Sequence, residues 1–299
     1  MTGRRARQPV PMRPLLASVN GVGHRALRPV MTCRSSLQPF VIVGGGRVGS
    51  ALKDMGPGTD VLVGRNQPVQ GLDSGPILVC TRNDALPAVV EATPPQRRKD
   101  LVFLQNGMLQ PWLDSQGLGD NTQVLVFFAV AAKGDKVVDG KTDVNPEGLT
   151  AACGPYARVV ADRLHAGGLS CKVLDRPAFT VAMLEKLVWI CAFMLLGAVH
   201  KLTVGEVECT KQAELKQLIE ELMAGGTAEL GIPGEMVQSG AVTRLNAYAR
   251  SVAHFPTAIK EFPWRNGWFY GISQRELAAG RPDPFPFHSS LLEQSGAIP

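Results

Sequence analysis

The fold is decided by residues 40–52, which read F-V-I-V-G-G-G-R-V-G-S-A-L. The first four are consecutive apolar residues, typical of a strand buried on both faces of a parallel sheet. Glycines with G-x-G-x-x-G spacing follow, where a helix can begin. The first glycine permits a tight turn, the second lets a pyrophosphate approach the backbone, and the third lets the helix pack against the strand. The stretch predicts a dinucleotide site, with an ordinary tight turn as the alternative. Its residues are Gly44, Gly45, Gly46, Arg47, Val48 and Gly49.

A second strand is predicted over residues 60–63, just before Gly64 and Arg65. At the end of this strand, NAD-binding proteins usually carry an acidic residue that binds the ribose 2′-hydroxyl, whereas a nearby arginine accommodates a 2′-phosphate. No carboxylate follows the strand before Asp73, and Arg65 occupies the place of the acid. The pattern favours NADPH over NADH as the cofactor, the alternative being that Arg65 is a solvated surface side chain.

The first 38 residues have the composition of a targeting segment. They contain seven Arg and no Lys, Asp or Glu, and Arg-rich, acid-poor segments are typical of organelle transit peptides. Removing those seven from the 31 basic residues leaves 24 against 26 acidic ones, a net charge of −2. The basic character therefore belongs to the leader and does not predict a nucleic-acid partner. We expect residues 1–38 to be a transit peptide, for the plastid rather than the mitochondrion, with a disordered basic arm as the alternative.

The six cysteines form no C-x-x-C pair and do not cluster with the five histidines. Metal sites and disulfide frameworks depend on such spacings. Reduced thiols are therefore expected, and no metal is predicted.

Residues 39–176 alternate short apolar runs with polar or helical stretches. The runs at 77–80, 101–104 and 124–128 resemble buried parallel strands, and residues 84–92 resemble a helix. Strands alternating with helices predict an α/β fold with a Rossmann-type doubly wound parallel sheet. This part is expected to bind NADPH.

Residues 177–299 are predicted to form an all-helical domain for substrate binding and dimerisation. The expected helices cover residues 179–202, 211–230 and 235–254, followed by a helical section at 257–280. The uncharged stretch from Val188 to Val199 in the first helix has twelve residues, too few to span a membrane, so a buried helix is expected. A homodimer is compatible with this apolar domain.

Lys186 lies in the most apolar predicted helix, within A-M-L-E-K-L-V-W-I-C. Either its stem reaches the surface beside Glu185, or its ammonium lies in a cleft between the domains. Burial in a cleft would lower the pKa of the ammonium, which suits a proton donor to a carbonyl. Asn106 follows a predicted strand, at the sheet edge where ligands bind, although an Asn-Gly turn explains it equally well.

In combination, these motifs resemble the ketopantoate reductase family. That family has a G-x-G-x-x-G Rossmann domain, a Q-N-G or H-N-G segment after a later strand, an essential Lys in a K-L pair, and a Glu five residues before an Asn-Gly pair. The matching residues here are Gln105, Asn106 and Gly107, then Lys186 and Leu187, then Glu261, Asn266 and Gly267. The resemblance covers nearly everything after residue 38.

The resemblance implies NADPH-dependent reduction of a 2-keto acid, ketopantoate in the type case, to the 2-hydroxy acid. Lys186 would protonate the carbonyl oxygen as charge develops there. Asn106 would position cofactor and substrate, and Ser251 would contact the substrate. Glu261 would accept a hydrogen bond from a substrate hydroxyl or a cofactor ribose and would orient Lys186. The implied partner is a small carbonyl compound, without nucleic acid or membrane.

Ile190 and Met194 depart from the family pattern, because ketopantoate reductases carry Asn four and eight residues after the Lys. Losing two amides makes the pocket more apolar and removes hydrogen bonds to a polar acid. Two alternatives therefore stay open. One is a related oxidoreductase with a more apolar substrate, and the other is a non-catalytic NADPH-binding regulatory protein.

Overall fold

The computed structural model describes residues 37–130 and 132–298, so the predicted leader lies outside the described residues except for its last two positions. One sheet of seven strands organises the first part, in the order β2-β1-β3-β4-β5-β6-β7. The strands are β1 (Val41–Val43), β2 (Val61–Val63), β3 (Ile77–Val79), β4 (Leu101–Phe103), β5 (Thr122–Leu125), β6 (Ala151–Cys153) and β7 (Lys172–Val173). All neighbours are parallel except β5 and β6, which are antiparallel.

The strand order places a topological switch point at β1. The chain runs from β1 to β2 on one side and then crosses to β3 on the other, with Val41 opposite both Val61 and Ile77. The residues of β1, β3 and β4 are fully buried, as expected for strands covered by helices on both faces. Ligands of such sheets bind at the carboxyl ends of the strands near the switch point, which here is the glycine turn after Val43.

Helices follow the strands and then continue alone. They are α1 (Arg47–Asp54), α2 (Leu86–Ala92), α3 (Gln110–Ser115), α4 (Ala157–Ala166), α5 (Arg176–His200), α6 (Val204–Thr210), α7 (Gln212–Glu229), α8 (Ala241–Ser251), α9 (Asn266–Ala278) and α10 (Pro286–Ser295). The predicted Rossmann-type sheet followed by a helical part is confirmed. The helix expected over 235–254 is wrong at its beginning, because Gly240 adopts a left-handed φ of 82° and α8 starts only after it.

The long helix α5 forms the core of the helical part. Asp175 caps its N-terminus by accepting a hydrogen bond of 2.9 Å from the backbone N–H of Ala178. By length and composition α5 could cross a membrane, yet 72% of its most apolar 18-residue window is buried inside the protein. It packs against α6, α7 and α10. The burial is that of a core helix in a folded domain.

A buried ion pair fixes the beginning of β1. Arg163 of α4 donates two hydrogen bonds to Asp60, of 2.7 and 3.0 Å, and a third of 2.8 Å to the carbonyl oxygen of Gln38. Asp60 also accepts a hydrogen bond of 2.7 Å from the backbone N–H of Phe40, and the guanidinium lies 3.8 Å from the centre of the Phe40 ring. These contacts hold β1 in place and with it the glycine turn that follows.

Candidate active site

The turn after β1 has the shape that a dinucleotide requires. Gly44 has a φ of +103°, and a Cβ there would lie 2.7 Å from the carbonyl oxygen of Cys80 at the end of β3. A Cβ on Gly49 would overlap the carbonyl oxygen of Gly44. A Cβ on Gly46, in contrast, would meet nothing within 4 Å. The first and third glycines therefore serve the packing of the turn, whereas the second leaves space in front of the helix for a phosphate group.

An elongated cavity of about 730 Å³ adjoins this turn. It is lined by Gly44–Gly46, by residues 64–69 after β2, by residues 80–82 after β3 and by one side of α2. Arg65, which the sequence predicts to bind a ribose 2′-phosphate, is exposed and lies at the rim of the cavity. The Thr81 hydroxyl in its wall is buried and has no partner among the described residues. The cavity thus offers a phosphate end, an unpaired polar group and an apolar slot beside α2, which fit a nicotinamide dinucleotide.

A second cavity, of about 330 Å³, begins at the other end of the same turn. It is lined by Arg47 and Val48 of α1, by Leu104 and Asn106 after β4, and by residues 126 and 128–130 after β5. The helical part contributes the remaining lining residues: Lys186, Trp189, Ile190, Met194, Tyr248, Phe255 and Arg265. Both parts of the chain therefore contribute to this cavity, at the carboxyl edge of the sheet.

Lys186 is buried at this cavity and does not reach the surface. Its side chain is 7% exposed, and its ammonium donates a hydrogen bond of 2.6 Å to the carbonyl oxygen of Val126. The ammonium also lies 4.9 Å from the centre of the Phe127 ring. Burial, and then the positive charge of Arg265, lower the pKa of Lys186 to about 7. Of the two arrangements left open by the sequence, the structure has the ammonium in the cleft.

Asn106 lies in the same cavity wall, in a turn held at several points. Gln105 donates hydrogen bonds to the carbonyl oxygens of Val79 and Thr81, of 2.8 and 3.1 Å, and so joins the ends of β3 and β4. Asn83 donates one of 3.0 Å to the backbone oxygen of Asn106. The side-chain oxygen of Asn106 is buried without a partner in the described part of the chain. A rigid turn thus presents an unsatisfied amide oxygen to a ligand.

Glu261 makes no hydrogen bond with Lys186, which the resemblance led us to expect it to orient. One carboxylate oxygen accepts a hydrogen bond from Arg265 and the other accepts one of 3.3 Å from the backbone N–H of Asn83. Arg265 in turn lines the cavity and lowers the pKa of Lys186. Sequence reasoning missed Arg265, although it lies four residues after Glu261 and directly before the Asn266-Gly267 pair.

The two apolar replacements line the cavity, whereas Ser251 does not. Lys186, Ile190 and Met194 are spaced by four residues on α5 and therefore share one face of the helix. All three belong to the cavity wall. Ser251 is exposed at the end of α8, and its hydroxyl donates a hydrogen bond of 2.7 Å to the carbonyl oxygen of Tyr248. The wall expected to carry amides in a ketopantoate reductase is apolar in this protein.

Metal and thiol chemistry have little support in the described residues. In residues 37–130 and 132–298, no group of three or more His, Cys, Asp and Glu residues is placed to hold a metal ion. The five cysteines described there are free thiols. Burial raises the pKa of Cys80, beside the glycine turn, to about 12, so this thiol is not a nucleophile at neutral pH.

Comparison with known proteins identifies the fold. No family model matches the sequence, and no curated protein matches it. A ketopantoate reductase from Ralstonia eutropha JMP134 is 20% identical with a TM-score of 0.61, over 87% of this chain and 99% of that one. A dimeric ketopantoate reductase from Staphylococcus aureus is 16% identical with a TM-score of 0.57, over 87% and 99%. D-mandelate dehydrogenase, solved in a ternary structure with NADH and anilino(oxo)acetate, is 16% identical with a TM-score of 0.61, over 87% and 98%.

At these identities the similarity establishes the fold. The chain has the two-part fold shared by ketopantoate reductases and D-mandelate dehydrogenase. The resemblance inferred from the sequence motifs is thus confirmed at the level of the fold, at sequence identities of 20% and 14%.

Proposed function

We propose that the protein is an NADP-dependent oxidoreductase that reduces a 2-keto acid to the 2-hydroxy acid. The observation that carries the proposal is Lys186, a buried ammonium in a largely apolar cavity at one end of the glycine turn. Its pKa, lowered to about 7 by burial and by Arg265, suits proton donation near neutral pH. The fold shared with ketopantoate reductases and D-mandelate dehydrogenase supports the same reaction class.

The residues of the two cavities have different roles in the proposed reaction, with cofactor binding in one and proton donation in the other. The turn from Gly44 to Gly49 holds the pyrophosphate, and Arg65 at the rim pairs with a ribose 2′-phosphate. NADPH bound in this turn would supply the hydride that adds to the carbonyl carbon and would itself become NADP⁺. Lys186 gives its proton to the carbonyl oxygen, so that the C=O bond becomes C–OH and no free alkoxide forms. Asn106, whose side-chain oxygen is unpaired, orients the ligands at the centre of the site.

The test compares the wild type with Lys186→Met. NADPH oxidation is followed at 340 nm with ketopantoate and a panel of other 2-keto acids, and NADPH affinity is measured separately by fluorescence titration. We expect the variant to lose at least about 100-fold in kcat with an NADPH dissociation constant within about twofold of the wild type. An unchanged kcat would remove Lys186 from the mechanism.

A second candidate function rests on Ile190 and Met194. Because these side chains make the substrate wall apolar, a protein that binds NADPH without turnover and regulates a partner is the competing proposal. Tight NADPH binding by the wild type, with no oxidation on any 2-keto acid tested, would favour it.

Cellular location and assembly are further parts of the proposal. Residues 1–38, with seven Arg and no acidic residue, are proposed to direct import into the plastid. Fusing them to a fluorescent protein tests this directly, and cytosolic fluorescence would refute it. We also propose a homodimer formed through the helical part, which multi-angle light scattering would distinguish from a monomer.

A further inference from the structure

The substrate cavity carries more positive than negative charge, even when Glu261, which pairs with Arg265 outside the lining, is counted. Three cationic side chains line it, from Arg47, Lys186 and Arg265, and its described lining includes no Asp or Glu. Lys186 is committed to the carbonyl oxygen by the proposed function, and Arg47 begins α1 beside the phosphate end of the glycine turn. Arg265 is therefore the cation with no assigned task. A cavity of this composition attracts an anionic ligand.

Arg265 is held in position by one partner while part of its guanidinium has no acceptor. Its Nη2 donates to Glu261, whose other oxygen is fixed by the backbone N–H of Asn83. The Arg265 and Glu261 side chains are only 13% and 18% exposed. In the described part of the chain that is the single hydrogen bond of the guanidinium, and its Nε is buried without a partner. Glu261 thus binds one amino group of the Arg265 guanidinium, and the remaining N–H groups can donate to a second acceptor.

The rest of the cavity wall determines what can accompany a carboxylate. Ile190 and Met194 extend from Lys186 along one face of α5, and Trp189 and Phe255 add aromatic surface. A hydroxylated side chain placed against Ile190 and Met194 would lose its water, and neither of these side chains offers it a hydrogen bond. Burying a polar group without a partner is unfavourable, whereas an apolar chain gains from the same contact.

Resting on the proposed function, we propose that Arg265 is the specificity-determining residue that binds the substrate carboxylate, and that the substrate is a 2-oxo acid with an apolar side chain. The guanidinium takes the carboxylate, Lys186 takes the 2-oxo group, and the apolar chain lies against Ile190 and Met194. The planar guanidinium can bind a carboxylate through two parallel hydrogen bonds, which an ammonium cannot. A lysine at position 265 therefore replaces the charge of the arginine but not its geometry.

Three probes of similar size test the proposal: 3,3-dimethyl-2-oxobutanoate, its primary amide, and ketopantoate, which is the same acid with a hydroxyl group on one methyl. Binding of each to the NADP⁺ complex is measured by calorimetry, and kcat and KM with NADPH are measured in parallel. We expect Arg265→Leu to weaken binding of the acid by about 10- to 100-fold and to leave the amide within about threefold. Arg265→Lys should recover only part of the acid's affinity. The loss should fall mainly on KM.

The ratio of acid to amide affinity is the decisive quantity. Replacing Arg265 also removes a positive charge that lowers the pKa of Lys186. The change leaves Lys186 more fully protonated, which favours the anionic acid over the neutral amide and therefore opposes the expected loss rather than imitating it. Arg244 gives the matched control, because it pairs with Glu185 at 13% and 15% exposure and lies outside the cavity lining. Arg244→Leu should leave the ratio unchanged, and circular dichroism verifies that each variant is folded.

The outcomes separate this proposal from the proposed function. Calorimetric binding of the acid that disappears in Arg265→Leu, without turnover in the wild type, would support Arg265 and refute the reductase. An equal loss for acid and amide would overturn the role of Arg265, even in an active enzyme. A wild type that prefers ketopantoate to 3,3-dimethyl-2-oxobutanoate by tenfold would overturn the proposal that the substrate has an apolar side chain. Absence of binding and turnover for all three probes would overturn both proposals.

Discussion

Replacing Lys186 with methionine removes a buried ammonium and keeps an unbranched apolar chain of similar length. In the unfolded chain this lysine has its ordinary pKa of 10.5, whereas in the folded protein burial and then Arg265 lower the pKa to about 7. At about 1.4 kcal/mol per pH unit, the difference corresponds to roughly 5 kcal/mol of destabilisation below pH 7, where the side chain is charged in both states. Between pH 7 and 10.5 the unfolded chain binds a proton that the folded protein lacks, so the free energy of unfolding rises with pH.

Urea unfolding at pH 6.5 and at pH 9.5 measures this effect. The free energy of unfolding of the wild type minus that of Lys186→Met should increase by about 3 kcal/mol between the two pH values. Other titrating groups are common to both proteins and cancel in the difference. At pH 6.5 the methionine variant should be the more stable protein, although it is expected to be inactive.

Lys216, exposed on α7 near Glu220, gives the matched control. The stability of Lys216→Met relative to the wild type should stay constant within about 0.5 kcal/mol between the two pH values. If the difference for Lys186→Met is equally constant, the lysine keeps its ordinary proton affinity. The argument that burial adapts it for proton donation near neutrality would then fail.

Four further predictions concern the cofactor half. Gly46→Ala should fold with a midpoint of thermal unfolding near that of the wild type, because its Cβ meets nothing, but should weaken NADPH binding measured by titration. Gly49→Ala should lower the unfolding midpoint as well, since its Cβ overlaps the preceding turn; equal stability of the two variants would contradict this. Arg65→Ala should weaken NADPH at least about tenfold more than NADH, and an equal loss would show that Arg65 ignores the 2′-phosphate. Arg163→Met should cost about 3–5 kcal/mol in urea unfolding by leaving Asp60 buried and unpaired, and a loss below about 1 kcal/mol would refute that role.

The sequence predicts the sheet best where long apolar runs meet glycine. The run before the G-x-G-x-x-G turn becomes β1, and the expected strands at 77–80 and 101–104 become β3 and β4 within one residue. Strands β6 and β7 were not predicted, because Ala-Ala-Cys and Lys-Val are too short and too weakly apolar to stand out. These two strands form through contacts with distant parts of the chain. Strand β6 pairs antiparallel with β5, and β7 pairs parallel with β6 at the edge of the sheet.

Individual residues of the candidate site could be predicted where the local sequence of their own helix or turn determines their position. Lys186 was found because a lone cation in an apolar helix has few explanations, and Asn106 because it follows a strand at the sheet edge. Arg265 is positioned by contacts that are distant in sequence. The carbonyl oxygen of Trp264 accepts a hydrogen bond of 2.7 Å from the backbone N–H of Met108. No local pattern at residue 265 carries that information.

The contacts around Glu261 and Trp264 connect the two halves of the site. The Glu261 carboxylate accepts a hydrogen bond from the backbone N–H of Asn83, which follows β3. The carbonyl oxygen of Trp264 accepts one from the backbone N–H of Met108, which follows β4. Arg265 is therefore fixed relative to the carboxyl edge of the sheet, the same edge that carries the glycine turn. In the proposed complex, Arg265 holds the carboxylate and Lys186 the carbonyl oxygen, and the cofactor defines the third point. Three fixed points suffice to orient a 2-oxo acid for reduction on one face. On this proposal the amides absent at Ile190 and Met194 are not needed for orientation, and their loss changes only which side chain the acid can carry.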